Sequence, residues 1–182
     1  MSSLSRPRPP LSLLSEIERR SKEVARGLPA QGELQVPWKG IGFRIGDTHA
    51  LAPLAEVVEI LIHPDLTRVP GTLEWVRGVA NVRGNLLPIM DLQGFLGAGP
   101  TRMTKQSRVI VTDHAGVYVG LLVDEVAGLK HLHDDERLAN APPMSDAITP
   151  FLQAAYVQAG RTWAVFSMHA LAEHPRFLQV AQ

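Results

Sequence analysis

The sequence predicts a mainly β protein, and three observations carry that prediction. Short β-branched and apolar runs recur at intervals of about ten residues, with turn residues between them. Two stretches, Val76–Leu96 and Arg108–Val126, follow one plan of apolar run, tight glycine-containing turn and returning apolar run. Helical periodicity is confined to the two ends, which weakens any alternating strand–helix design. A barrel and a sandwich both fit. The two similar hairpins suggest two small barrels in tandem.

The first ten residues hold Pro7, Pro9 and Pro10 with Arg6 and Arg8 and read as a disordered lead. From about residue 11 to 27, Leu14, Ile17, Ser21, Val24 and Leu28 recur at spacings of three and four, with charges mostly off that stripe. Gly27 and Pro29 end this helix. Packing on its own domain is the simpler reading of it, and docking on a partner the sharper one. The chain thus divides into an N-terminal extension, residues 1–36, and a β domain, residues 37–182.

Within the β domain, Ile41–Ile45 alternates with period two, and Gly46-Asp47 supplies a turn. His49–Ile62 is rich in Val and Ile and reads as a strand with a bulge or short turn, Pro53 marking an edge or bend. Val79 to Leu92 gives two strands around Arg83-Gly84-Asn85, where glycine can take positive φ. Val109–Val111 and Val117–Val123 flank Asp113–Gly116 in the same way. Residues 130–150 are polar, with Pro142, Pro143 and Pro150, and read as a long loop. Tyr156-Val157 and Trp163–Phe166 form a last hairpin across Gln158–Arg161, and His169–His174 begins a short C-terminal helix.

Composition narrows the function. Eighteen Lys plus Arg balance eighteen Asp plus Glu, so no net field draws a nucleic acid or an anionic membrane. Aromatic residues are 5%, too few for a stacking groove on single-stranded nucleic acid. Cysteine is absent, which removes disulfides, thiolate metal sites and cysteine nucleophiles. No apolar run is long enough to span a bilayer and no signal-peptide core is visible, so a cytoplasmic protein without membrane insertion is expected.

Reactive constellations are equally scarce. His131, His133 and Asp134 have metal-like composition, and His131 and His133 would share one face of a strand. No distant ligand is paired with them by a recognised spacing, and a solvated connection is the favoured reading. A metal-dependent enzyme built on these three residues and a small-barrel nucleic-acid binder are the competing functions. Asp124 and Glu125 are adjacent, so on a strand they point to opposite faces. No nucleophile elbow, phosphate loop or dinucleotide fingerprint is present. No catalytic residue, metal or cofactor is therefore expected. What stands out is Arg83, a cation between two apolar strands, and Glu59 within Val57-Val58-Glu59-Ile60.

The run from Arg68 to Leu92 contains Gly78-Val79-Ala80-Asn81-Val82-Arg83-Gly84, then Leu86-Leu87-Pro88-Ile89-Met90-Asp91-Leu92. It resembles the signature segment of CheW-like domains. Val57–Ile60 and Val119–Val126 resemble two further blocks of that family, in the same order. The resemblance covers roughly residues 37–172, and the Trp75–Gly84 variant is most similar to the adaptors of type IV pilus chemosensory systems, which govern twitching motility. It implies two SH3-like five-stranded β-barrels sharing a core, the first over about 37–98 and the second over about 99–168, with segments open to exchange. It also implies a non-catalytic adaptor whose partners are the regulatory domain of a histidine kinase and the cytoplasmic tip of a chemoreceptor, at membrane-associated arrays. By residue match, Glu59, Gly78, Asn81, Arg83 and Gly84 fall on partner-binding positions. The family commonly carries an Asp after its last strand, where this chain reads Phe166-Ser167-Met168.

Overall fold

A computed structural model describes residues 37–62, 64–140 and 144–180. The expected helix over 11–27 lies outside them. Ten strands follow in order: β1 Trp38–Ile45, β2 Thr48–Pro53, β3 Glu59–Leu61, β4 Val76–Val82, β5 Asn85–Asp91, β6 Arg108–His114, β7 Val117–Val123, β8 Glu125–Leu132, β9 Leu152–Gln158 and β10 Arg161–Phe166. Of three short helices, α1 Leu92–Phe95 follows β5, and α2 Met168–Ala172 and α3 Pro175–Leu178 follow β10.

Turn chemistry sets the hairpins. Three of them close through two residues that both have positive φ: Arg83-Gly84, Ala115-Gly116 and Ala159-Gly160. Two-residue turns of this hand match the right-handed twist of the flanking strands. The turns are tighter than the residue pattern suggests. Asn85, Asp113 and Gln158 already belong to strands.

The strands assemble into two five-stranded sheets. One has the order β3-β6-β7-β5-β4, the other β8-β1-β2-β10-β9. Both have the same design, two hairpins joined through a central parallel pair (β5 with β7, β2 with β10) and a fifth strand on the outside. Residues 37–98 supply β1–β5 and residues 99–168 supply β6–β10. Each sheet takes three strands from one stretch and a hairpin from the other. The crossings occur at β2 to β3 and at β7 to β8.

Side-chain alternation explains how such an exchange is stabilised. Each inner strand points one set of residues into its own sheet's interior and the other set into a common core. Leu87, Ile89, Val109, Val111 and Leu122 fill the first sheet, with Ala80 and Val82. Leu51, Leu132, Tyr156, Trp163 and Val165 fill the second. Between the sheets, Phe43, Ala50, Ala52, Met90, Ile110, Leu121, Phe151 and Phe166 form a shared core. With two apolar faces on each inner strand, separating the sheets would expose the largest of the three clusters to water.

Two stretches depart from expectation. His49–Ile62 is not one strand: Pro53 ends β2, a 3-10 turn over Leu54–Glu56 follows, and β3 starts at Glu59 in the other sheet. The supposed loop from residue 130 begins inside β8, which runs to Leu132 along the edge of its sheet. Its alternation is masked because Gly128 and Lys130 occupy the positions between Ala127, Leu129 and His131.

The chain leaves β5 and β10 through matching caps. The buried Asp91 carboxylate accepts from the backbone N of Gly94 at 3.0 Å and from both the N and Oγ1 of Thr101 at 2.8 and 2.7 Å. After β10, Ser167 Oγ accepts from Ala170 N, and the missing carboxylate comes from Glu56 in the 3-10 turn. Glu56 Oε2 accepts from Met168 N at 2.6 Å and His169 N at 3.1 Å, and Ser167 Oγ donates to it at 3.3 Å. The departure at Ser167 is thus made good by an acid 111 positions earlier.

Candidate functional site: the closed edge of the first sheet

β3 and β4 are the two edges of their sheet, and the chain that follows β3 joins them. The connection after β3 returns along the outer side of β4, where Thr67 and Val79 exchange two backbone hydrogen bonds of 2.9 Å each. That bridge curls the sheet into a barrel and satisfies the free edge of β4. Gly78 makes the approach feasible. Its φ is 136°, and a Cβ there would overlap the Thr67 carbonyl. A short close approach of two backbones is the use to which glycine is suited.

The β4–β5 turn stands at the end of this seam. Arg83 has φ 51° and Gly84 φ 87°. Asn81 Oδ1 accepts from Gly84 N at 2.9 Å and fixes the turn from within. Arg83 Nη2 lies 3.0 Å from Glu59 Oε2, an ion pair across the two sheet edges. The arginine side chain is 80% exposed and Glu59 18%. An ion pair this exposed contributes about 0–1 kcal/mol to folding. The guanidinium therefore projects into water, anchored at one nitrogen and with other donors free.

All five residues named from the sequence belong to this one feature. Glu59 and Arg83 form its charged pair, Asn81 and Gly84 shape the turn, and Gly78 permits the closing seam. The residue pattern gave no hint of Thr67, the other half of the seam, nor of the apolar surface beside it. Leu86 is 71% exposed immediately after the turn, and the alternate residues Val58, Ile60 and Ile62 are exposed along β3. Exposed large apolar side chains on the strands that carry this turn and Glu59 have the composition of a protein–protein interface.

The His131, His133 and Asp134 group has a structural role. The His131 carbonyl accepts from Gln158 Nε2 at 2.9 Å, tying the end of β8 to β9. His133 N donates to Glu136 Oε2 at 2.8 Å, capping the turn that Asp134 begins. The backbone hydrogen bond from His133 is the main reason the Glu136 carboxyl sits below its ordinary pKa. Among the described residues no group of three or more His, Asp or Glu is arranged to hold a metal ion.

Comparison with known proteins agrees with this geometry. A CheW-like domain model matches residues 39–176. Protein PilI of Pseudomonas aeruginosa is 48% identical over 172 residues, covering 94% of this chain and 96% of that protein. The chemotaxis protein CheW of Helicobacter pylori is 32% identical over 113 residues, 62% of this chain and 68% of that protein. The crystal structure of the scaffolding protein TtCheW from Thermoanaerobacter tengcongensis superposes with a TM-score of 0.66 at 25% identity, covering 77% of this chain and 95% of that one. The two exchanged barrels, the Asn81–Gly84 turn at the closed seam and these matches have one common reading: the chain belongs to the CheW-like domain family.

Proposed function

We propose that this protein is a non-catalytic adaptor that couples chemoreceptors to a CheA-type histidine kinase, in a chemosensory pathway of type IV pilus-driven twitching motility. One observation carries the proposal: Arg83 is held at a barrel end by a single ion pair and contributes little to folding there, while β5 and β3, the strands that follow it and that supply Glu59, expose Leu86 and Ile60. A rigid tip with a largely free guanidinium is suited to docking and offers nothing to bond-making. The similarity to PilI over nearly the whole chain supports the pilus pathway. The similarity to a protein described as a scaffold supports the adaptor role and the absence of catalysis. No helix among the described residues is long and apolar enough to cross a membrane. The adaptor would reach receptor arrays from the cytoplasm through its partners. Several modest interfaces held at fixed angles on one double barrel gain strength from multivalency.

The test is a titration of wild type, Arg83→Ala and Arg83→Lys against a kinase regulatory domain and a receptor cytoplasmic tip. Truncating a central interface arginine costs about 2 kcal/mol or more. Arg83→Ala is thus expected to weaken one of the two interactions roughly thirtyfold while its melting temperature falls by no more than about 2–4 °C. Lysine keeps the charge and loses the planar fork, so it restores binding only in part. Equal affinities of all three proteins for both partners would remove Arg83 from the interface.

A further inference from the structure

After α2 the chain returns to the first sheet. The match to the CheW-like domain ends at Arg176, and the next residue, Phe177, is buried. Its ring stacks on Trp75 at 5.7 Å and 16° and meets Phe95 edge-on at 5.3 Å, while Trp75 and Phe95 meet edge-on at 5.2 Å. Each of the three rings thus touches the other two, in geometries that aromatic pairs favour. The Arg176 guanidinium lies 5.5 Å from the Phe95 centroid and adds a cation–π contact. Beyond the ring, Leu178 and Val180 line an open groove of about 270 Å³ with Pro88 and Met90 of β5 and Val117 of β7. Both stay partly exposed, so one ring does most of the fixing.

What this segment grips is the connection that closes the first barrel. Residues 64–75 contain no strand or helix. Hydrogen bonds tie them to the rest of the domain at the Thr67–Val79 bridge, at Trp75 O, which accepts from Asp91 N at 2.7 Å, and at Leu73 N, which donates to Val180 O at 3.2 Å. Thr72 Oγ1 donates to Val69 O, within the connection itself. A segment without a ladder of its own opens at low cost unless something outside it holds it. Leu73 and Trp75 are both held from the C-terminal side, and Thr67 precedes them in the same connection.

We infer that Phe177–Val180 is a strap that holds this connection in place and so keeps the Thr67–Val79 seam shut. The strap follows the last strand of the second sheet and acts on the closure of the first. Loosening it releases the covered edge of β4 while every pairing between the ten strands stays intact. The inference stands on packing alone and does not depend on the adaptor reading.

The test is amide hydrogen exchange on the full ¹⁵N-labelled chain. The Leu73 amide reports the strap, and the Thr67 and Val79 amides report the seam. Phe177→Ala is expected to speed exchange at all three about tenfold or more, because deleting a buried ring lowers the cost of local opening. Phe177→Leu keeps apolar bulk and loses the stack on Trp75. It should speed the three amides less, and it carries the test if the alanine variant does not fold. Leu132→Ala, a comparable deletion in the second sheet's own cluster, should leave the same amides near wild type. Unchanged seam amides in the Phe177 variants, or an equal acceleration in Leu132→Ala, would each overturn the inference.

Discussion

Gly78→Ala is expected to be among the most destabilising single methyl additions in this chain, lowering unfolding free energy by about 3 kcal/mol or more. Two costs combine. The native φ of 136° is one that side chains rarely adopt, and the new Cβ would overlap the Thr67 carbonyl. Relief would require the Thr67–Val79 bridge to open, exposing the edge of β4 that it covers. The expected readout is a lowered denaturation midpoint together with fast hydrogen exchange at Thr67 and Val79. A midpoint within experimental error of wild type would mean the seam tolerates displacement. On the proposed function, Gly78 would bear on binding indirectly, by closing the barrel that holds Glu59 beside Arg83.

Glu56→Ala is expected to cost about 2–4 kcal/mol, because it strands donors already removed from water. Met168 N, His169 N and the Ser167 hydroxyl all point at this carboxylate, and residue 56 is itself buried. Glu56→Gln keeps an acceptor oxygen in place and should lose less than half as much. The pair of variants separates a hydrogen-bonding role from simple space filling. If alanine and glutamine were equally and mildly destabilising, the cap after β10 would have to rest on Ser167 alone.

The strands were legible in the sequence and their partners were not. Period-two runs and Gly-containing turns mark the ends of β4 through β7 closely. Exchange is a different matter. Hydrophobic alternation separates buried faces from exposed ones, but it does not say which core a buried face enters. Leu51 enters one cluster while Ala50 and Ala52 enter another. Val109–Val111 and Leu121–Val123 read as unbroken apolar runs because the shared core buries their second face as well. β8 shows no such pattern because a glycine and a lysine interrupt its alternation.

The candidate site divides in the same way. Arg83 stands out in one dimension, as a charge between apolar strands with a glycine beside it. Its ion pair with Glu59 and the Thr67–Gly78 contact exist only because a five-stranded sheet curls until the chain after one edge strand reaches the other edge. The carboxylate absent at Ser167 was visible as a departure. Its replacement by Glu56 follows from the chain crossing between sheets after β2, which no local pattern announces.

Coupling as proposed requires one chain to hold two partners at once. Sedimentation velocity on an equimolar mixture of this protein, a kinase regulatory domain and a receptor tip fragment tests it most directly. A single ternary boundary is expected that contains all three and that Arg83→Ala diminishes. Two separate binary complexes that never combine, or no complex with either partner, would contradict the account.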